Sequence, residues 1–280
     1  MVNWANFLSQ LFNGLVQGAL LALISSGLTI IYGTLGVLNL AHGAMFMLGG
    51  YAGWLAYSYT GSFVVAVIVG TLFVMVVGVL TERGIIRYFY NRPAEDQILV
   101  TFGLGIVFVE AVRFLFGSQS ESIPPPPGLV GITNLGFMVY PTYRLALFGI
   151  VVVALLVLYI VLYRTRLGLI VRAGIEDSTM VDLLGINVQR IFMLVFGIGA
   201  AAAGFAGIVN TPVVSIAPDV GEPILVQTFV VVVIGGLIAG EIISITSMFN
   251  PGYAYVMLFV AMTLVLVLRP YGLLGTAGRE

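Results

Sequence analysis

Asn39 and His42 are the two polar side chains of "GVLNLAHGAMFMLGG", residues 36–50, a stretch otherwise made of small and apolar residues. A spacing of three places both on one face if this segment is helical. Polar groups in an apolar environment need partners, so the pair indicates either contact with a ligand or ion path, or hydrogen bonds between packed helices. Both interpretations stay open. Three glycines in the same stretch permit close helix packing or a broken helix: Gly43, Gly49 and Gly50.

The other polar residues do not form a catalytic pattern. The chain has one histidine and no cysteine, which leaves no catalytic triad, no zinc-ligand spacing and no thiolate metal site. Asp219 and Glu222 lie close together in "PDVGEP", but paired catalytic acids need a defined cleft, and solvated loop charges are the simpler explanation. The sequence therefore predicts no catalytic residue, no bound metal and no enzyme.

Composition indicates the environment that positions these residues. Of 280 residues, 60% are hydrophobic and 8% are charged, outside the range of soluble domains. Several apolar runs approach the roughly 20 residues that a membrane-spanning helix needs. The first run, near 7–32, lacks a positively charged start and is too long for a signal peptide core, so we expect it to be a retained membrane span. We expect an all-α, polytopic transmembrane bundle, organised as one domain over residues 1–280.

The basic residues exclude two classes of function. The net charge of -1 gives no basic surface for nucleic acid. All eleven cationic residues are arginine, so a GxxxxGK[ST] phosphate-binding loop is impossible. Any nucleotide energy must therefore come from another chain.

Arginine placement predicts the orientation, because cytoplasmic loops carry an excess of basic residues. Loops 82–97 and 164–190 contain most of the arginines and are expected in the cytoplasm, whereas 117–144, with its run of prolines, fits an outside loop. The N-terminus is then outside. The expected spans lie near residues 7–32, 36–59, 62–81, 98–116, 145–163, 191–213 and 252–268.

The stretch 225–249 raises a problem of parity. It follows the expected outside loop "SIAPDVGEP" and precedes a last span whose Arg269 favours the cytoplasm, so it must cross an even number of times. Its length allows only one crossing, since two need roughly 40 residues. The sequence therefore predicts a sharp re-entrant turn or a missing segment near Leu237 and Ile238. With such segments counted, we expect about eight or nine spans.

Loop 164–190 contains a predicted short helix over 179–184. Asp177 or Ser178 can cap its start, and Gly185 can take the left-handed conformation that ends it. Its apolar side consists of Met180, Leu183 and Leu184. A bare cytoplasmic loop does not need such a side, so docking to a partner protein is the favoured interpretation, with a helix lying on the membrane surface as the alternative.

Two further patterns have structural explanations. Gly199, Ala203 and Gly207 recur at four-residue spacing, which is typical of a helix-packing face. Glu110 and Arg113 are three residues apart near the end of their span, and we expect them to neutralise each other.

The chain resembles the permease subunits of branched-chain amino acid ABC importers, of the LivH type. The resemblance runs over nearly the whole length and rests on five stretches in chain order: "YGTLGVLNLAHGAMFMLGGY", "RAGIEDSTMVDLLGINVQRI", "AAAAGFAGIV", "FVVVVIGGL" and "LVLRPYGLLG". After the late GGL, members of the family usually continue with a further turn and apolar residues. Here on the order of ten residues are absent by comparison, enough to bring 225–249 near two-span length.

The resemblance implies half of an importer for Leu, Ile or Val, without catalytic chemistry of its own. A second permease, two cytoplasmic ATPases that bind the ATP and a periplasmic binding protein would complete it. Asn39, His42 and the three glycines would line or shape the translocation path. The resemblance places ATPase coupling on loop 164–190, at Arg172, Ala173, Glu176, Asp177, Leu184 and Gly185.

Other transport functions remain as alternatives. Related importers carry urea, short amides or other amino acids. A stand-alone channel or secondary transporter needs charged residues deep in its spans, whereas the charges here concentrate in loops and near span ends.

Overall fold

A computed structural model describes residues 4–136 and 138–269. This part of the chain folds into eleven α-helices and one small antiparallel hairpin. The helices are α1 Trp4–Leu35, α2 His42–Thr60, α3 Phe63–Gly84, α4 Ala94–Phe116, α5 Thr142–Arg164, α6 Arg166–Glu176, α7 Ser178–Leu183, α8 Val188–Asn210, α9 Gly221–Ile234, α10 Gly236–Phe249 and α11 Ala254–Leu268. Strands β1, Ile132–Asn134, and β2, Val139–Pro141, form the hairpin within the expected outside loop.

The helical membrane architecture is confirmed. Among the described residues, six helical segments are long and apolar enough to cross a bilayer: α1, α3, α4, α5, α8 and Pro251–Leu268, which contains α11. Helix α2 is less apolar, and α9 with α10 forms one bent pair. With the bent pair counted as one span, the described residues give up to seven, so the expected count of eight or nine was only approximate. The main difference in bounds is α2, which begins at His42 and not at residue 36.

The chain forms two compact units. The first consists of the described residues within 1–25, 125–152 and 226–280, and the second spans 26–124 and 153–225. The core of the first unit is apolar and comes from α1, α9, α10 and α11: Leu21, Val230, Val231, Ile234, Ala239, Ile243, Ala254 and Leu258. Beside this core, the Asn13 side-chain oxygen accepts hydrogen bonds from Tyr140 at 2.8 Å and Arg144 at 2.6 Å.

The bent pair lies in the stretch for which the sequence predicted a re-entrant turn or a missing segment. Helices α9 and α10 are bent by 119° at a break of one residue, Gly235, which has φ +87°. The chain is continuous there, because the amide of Ala239 donates to the Gly235 carbonyl oxygen at 3.1 Å. The sharp turn is therefore present, two residues before the predicted position. Two glycines of α10 also rest against the α1 backbone, Gly236 against Gly18 and Gly240 against Gly14.

In the second unit, α2, α3 and α8 pack against one another. Glycines make the packing around α8 close: a Cβ added to Gly199 would lie 2.7 Å from the Gly27 carbonyl oxygen of α1, and one added to Gly207 would collide with the Phe46 carbonyl oxygen of α2. Ala203 is fully buried between them. The predicted packing face of α8 is confirmed. Such faces hold membrane helices together because small residues let two backbones approach closely.

A buried carboxylate joins the end of α3 to the loop that follows it. Glu82 is fully buried and accepts a hydrogen bond from the Tyr90 hydroxyl at 2.6 Å, while the Arg87 guanidinium lies 3.6 Å away. Burial, and then the hydrogen bond to Glu82, raises the pKa of Tyr90 well above its usual range. Tyr90 therefore keeps its hydroxyl proton at physiological pH and donates a hydrogen bond to Glu82.

Tyr90→Phe should destabilise the folded protein by about 1.5–3 kcal/mol, because the buried carboxylate of Glu82 loses a hydrogen-bond donor. The matched control is Tyr88→Phe, since Tyr88 lies in the same loop but is exposed. Thermal unfolding of both purified variants in detergent measures the difference. Equal unfolding temperatures for the two variants would show that the Glu82 contact does not contribute.

Candidate functional site

Residues 36–41 connect α1 to α2 without helical structure, and Val37, Asn39 and Ala41 of this segment are buried. Helix α1 ends at Leu35, Gly36 takes φ +67°, and α2 starts only at His42. The segment runs beside α4: the Thr101 hydroxyl donates toward the Leu38 carbonyl oxygen at 3.0 Å. Non-helical backbone at membrane depth is tolerated only where protein or a cavity covers it. This connection is therefore a break between two helices, covered at Thr101 by α4.

Asn39 shapes the start of α2. Its side chain is almost fully buried; its oxygen accepts a hydrogen bond from the Ala41 amide at 3.1 Å, and its NH₂ group lies 3.8 Å from the Met45 sulfur. His42, also fully buried, is the first residue of α2, and its amide lies 3.3 Å from the Asn39 carbonyl oxygen. The expectation that both residues share one helix face is wrong, because Asn39 precedes the helix. The Asn39 side chain gives the Ala41 amide the hydrogen-bond acceptor that a helix backbone would otherwise supply.

The three glycines of this stretch lie against other parts of the second unit. A Cβ on Gly43 would collide with the Gly221 carbonyl oxygen, and one on Gly49 would collide with the backbone of Gly204. At Gly50 the colliding atom belongs to the Ile216 side chain. The geometry favours the packing role for these glycines. Their predicted role in a translocation path stays a prediction.

A cavity of about 270 Å³ opens in the second unit, next to the start of α2. It is a half-open cavity, lined by the starts of α2 and α9, the segment before α9 and one face of α4. Glu110 and Arg113 line it as an ion pair, with 2.6 Å between Oε1 and Nη1, so their predicted pairing is confirmed. The complete lining is Leu40, Ala44, Phe102, Gly105, Ile106, Val109, Glu110, Arg113, Asp219, Gly221, Glu222 and Leu225.

Sequence reasoning missed this cavity. It interpreted Glu110 with Arg113 as a simple ion pair, and Asp219 with Glu222 as two loop charges. Asp219 and Glu222 are exposed, as expected for solvated charges, but Glu222 lies in the first turn of α9 and not in a loop. One sequence feature could have indicated it: the spacing of Phe102, Ile106 and Val109 by four and three residues places these lining residues on one face of α4. The residues that complete the cavity come from distant parts of the chain, so spacing alone does not bring them together.

The predicted coupling residues lie in and around two short helices: Arg172, Ala173 and Glu176 are in α6, and Asp177, Leu184 and Gly185 flank α7. The start of α7 is capped as predicted, since the Asp177 carboxylate accepts a hydrogen bond from the Met180 amide at 2.9 Å. Gly185 has φ +80°, the predicted left-handed stop. Leu183 and Leu184 are 76% and 73% exposed, so the chain itself leaves the apolar side of this segment largely uncovered.

Arg172 and Ala173 make contacts within this segment. The Arg172 guanidinium donates to the Leu162 carbonyl oxygen at 2.5 Å and lies 5.6 Å from the centre of the Tyr163 ring, at the end of α5. The Ala173 carbonyl oxygen accepts from the Asp177 amide at 2.9 Å. Glu176, at the end of α6, is exposed. Arg172 therefore fixes the turn between α5 and α6, whereas Met180, Leu183 and Leu184 form an exposed apolar surface at α7.

The chain is similar to known transport proteins along almost its whole length. It is 29% identical to the high-affinity branched-chain amino acid transport system permease protein BraD of Pseudomonas aeruginosa and 29% identical to LivH of Escherichia coli, with 96% of each chain covered in both cases. The LivM permease protein of Escherichia coli is 27% identical, over 90% of this chain and 67% of its own. No solved structure matches the chain.

The alignments with BraD and LivH extend over 299 and 300 positions, more than the 280 residues of the chain, so these relatives contain residues with no counterpart here. The family described as the permease component of branched-chain amino acid transport systems matches residues 10–272. Its members are membrane permease subunits of ABC transporters and are not enzymes in themselves. With this match and its several membrane-spanning helices, the chain belongs to the permease family of branched-chain amino acid transport systems.

Proposed function

We propose that the chain is one permease subunit of an ATP-driven importer of Leu, Ile and Val in the bacterial cytoplasmic membrane, and that it forms half of the translocation path. The observation that carries this proposal is the family match over residues 10–272. The relatives named for branched-chain amino acid transport, BraD and LivH, support the choice of substrate.

The proposed assembly contains a second permease, two cytoplasmic ATPases and a periplasmic binding protein. LivM, a permease similar to this chain, supports a second permease of related sequence. ATP binds to the ATPases, because a chain without lysine has no GxxxxGK[ST] loop. The surface of this chain that takes an ATPase is the exposed side of α7, where Met180, Leu183 and Leu184 would enter an apolar groove.

Alternating access follows from this arrangement. ATP binding closes the two ATPases, and their movement shifts α6 and α7, which connect directly to the spans α5 and α8. The connection is stiff, because Arg172 ties α6 to the end of α5 and the Asp182 carboxylate accepts a hydrogen bond from the Val188 amide, the first residue of α8, at 3.1 Å. A displacement of α7 is therefore transmitted to α8, the helix at the centre of the second unit.

The proposal is tested by purifying intact complexes from membranes, identifying the bound chains and reconstituting them in vesicles. We expect uptake of radiolabelled leucine that requires ATP and the ATPase chains. Uptake by the permease alone would contradict the proposal and favour a channel or secondary transporter. ATP-dependent uptake of urea or amides, without uptake of leucine, would support a related importer.

Leu184→Asp should lower ATP-driven uptake about tenfold or more and reduce copurification of the ATPases, because a carboxylate in an apolar groove loses solvation without gaining a partner. The control is Tyr88→Asp, which places the same charge at an exposed position in loop 82–97, also expected in the cytoplasm. Both variants should reach the membrane in normal amounts. Normal uptake by Leu184→Asp would contradict docking at α7 and favour a helix on the membrane surface.

A further inference from the structure

We propose that the cavity between α2, α4 and α9 binds a zwitterionic α-amino acid with an apolar side chain during its passage. This inference rests on the proposed function and adds a binding site to it. The cavity lies entirely within the second unit, and its volume of about 270 Å³ is near the lower end of the ~300–1,000 Å³ range of small-molecule sites. That size suits a single amino acid better than a sugar chain or peptide.

The lining separates into an apolar part and a charged part along two helices. On α4, the apolar lining residues Phe102, Ile106 and Val109 come first, and the charged residues Glu110 and Arg113 follow. The lining therefore changes from apolar to charged over about 16 Å along this helix. On α9 the order is consistent, with Glu222 in the first turn and Leu225 one turn further in. A branched aliphatic side chain would lie in the apolar part and the charged head group in the other.

The charged part contains groups for both ends of a zwitterion. Arg113 can bind a carboxylate through the guanidinium N–H groups that do not contact Glu110. Asp219 and Glu222 supply carboxylates for an ammonium group. With three carboxylates and one guanidinium, this part of the lining is net negative. An amino acid that has lost its ammonium group would therefore be repelled, whereas an amine without the carboxylate would still be attracted.

The position of the cavity agrees with the predicted topology. The charged residues of α4 lie near its C-terminal end, and α9 follows the loop "SIAPDVGEP"; both are expected on the outside. The apolar part reaches the break before α2, because Leu40 and Ala44 line it and the Gly105 backbone lies against Leu40 and Ala41. With the charged part facing outward and the apolar part lying deeper, an amino acid would enter the cavity with its side chain first and its charged head group last.

The first test uses the absence of cysteine from the chain. Ile106→Cys places a single thiol in the cavity, and Val107→Cys places one on the same helix outside the lining. Both variants are assembled into the full importer in lipid nanodiscs and treated with a maleimide. L-leucine should slow modification of Ile106→Cys several-fold, 3-methylbutylamine should slow it less, and 4-methylpentanoate should have no effect. Modification of Val107→Cys should be unchanged.

The second test fills the cavity. Gly105 lines it and has room for a Cβ at ordinary contact distance, whereas Gly103, on the same helix, is outside the lining and has no neighbour within 4 Å. Gly105→Leu should therefore abolish leucine uptake by the complete importer, and Gly103→Leu should leave it unchanged. Both variants should fold, because an added Cβ meets the backbone of Leu40 and Ala41 only at ordinary contact distance at Gly105, and meets nothing within 4 Å at Gly103. Normal uptake by Gly105→Leu would overturn the cavity proposal.

The outcomes separate this inference from the proposed function. ATP-driven leucine uptake without protection of Ile106→Cys, or with equal protection by leucine and 4-methylpentanoate, overturns the cavity site and leaves the importer function intact. Protection by leucine in a complex that transports no amino acid supports the site and overturns the importer function. Loss of leucine protection in Ile106→Cys carrying Asp219→Asn and Glu222→Gln would assign the ammonium site to these two residues. The control is Ile106→Cys carrying Glu121→Gln, which removes a carboxylate outside the lining and should leave the protection unchanged.

Discussion

Gly49→Ala should lower the amount of folded protein sharply, although it adds only one methyl group. The new Cβ would collide with the backbone of Gly204 on α8, and backbone cannot move aside as a side chain can. Overpacking of this kind costs about 1–3 kcal/mol and occasionally more. Because α2 and α8 are two of the three mutually packed helices of the second unit, the loss spreads through that unit. We expect low yield after extraction and a lower unfolding temperature.

Gly149→Ala is the matched control. Gly149 lies in the middle of α5, is exposed and has no neighbour within 4 Å of an added Cβ. There the same substitution should be neutral or stabilising by about 0.5–1 kcal/mol, because alanine loses less backbone entropy than glycine in a helix. The unfolding temperature should therefore fall for Gly49→Ala and stay the same or rise for Gly149→Ala.

The same experiment separates the two roles considered for Gly49. If the glycine serves packing, transport per folded molecule stays near normal while the folded yield falls. A normal yield with strongly reduced transport would contradict the packing contact and favour a place in the translocation path. Comparison of uptake rates, normalised to folded complex in the vesicles, gives this ratio.

The sequence predicted most helices because the relevant signals are local. Apolar runs of span length and clustered arginines indicated the six long helices, and Asp177 and Gly185 marked the ends of α7. The start of α2 was missed for a physical reason. The apolar residues Val37, Leu38 and Leu40 fit a helical span, but their segment is non-helical and buried or half-buried. Hydropathy does not distinguish these two conformations.

The two candidate sites, the coupling segment and the cavity, also differ in how far local sequence predicts them. The coupling segment lies within 20 residues of continuous chain, so its caps and apolar side were visible in the sequence. The cavity depends on α4 meeting the starts of α2 and α9, which are far away along the chain. Asp219 and Arg113 were both noticed, but nothing in their spacing indicated that they line one cavity. Contacts of this kind come from tertiary packing.

The bend between α9 and α10 was predicted from segment length and charge, but its exact position was not. Parity of crossings indicated that 225–249 cannot be a simple span, and the 119° bend agrees with this. The exact position of the bend, at Gly235, was not predicted, because "GG" offers two flexible residues and only one has positive φ. Packing decides between them: Gly236 already belongs to α10 and lies against the α1 backbone at Gly18.

Gly235→Asn should therefore disrupt the first unit, whereas Gly61→Asn should be tolerated. Both glycines have positive φ, but Gly61, at φ +65° and ψ 6°, is close to the left-handed conformation that asparagine adopts, and Gly235, at φ +87° and ψ 143°, lies where side chains other than hydrogen are strained by about 1–3 kcal/mol. An asparagine at position 235 would have to change the backbone, and the bend that lets Val230, Ile234 and Ala239 share one core would open. We expect Gly235→Asn to lower both unfolding temperature and uptake, with Gly61→Asn near normal. Equal tolerance of the two substitutions would show that the bend does not depend on the Gly235 conformation, and the re-entrant interpretation of α9 and α10 would lose its support.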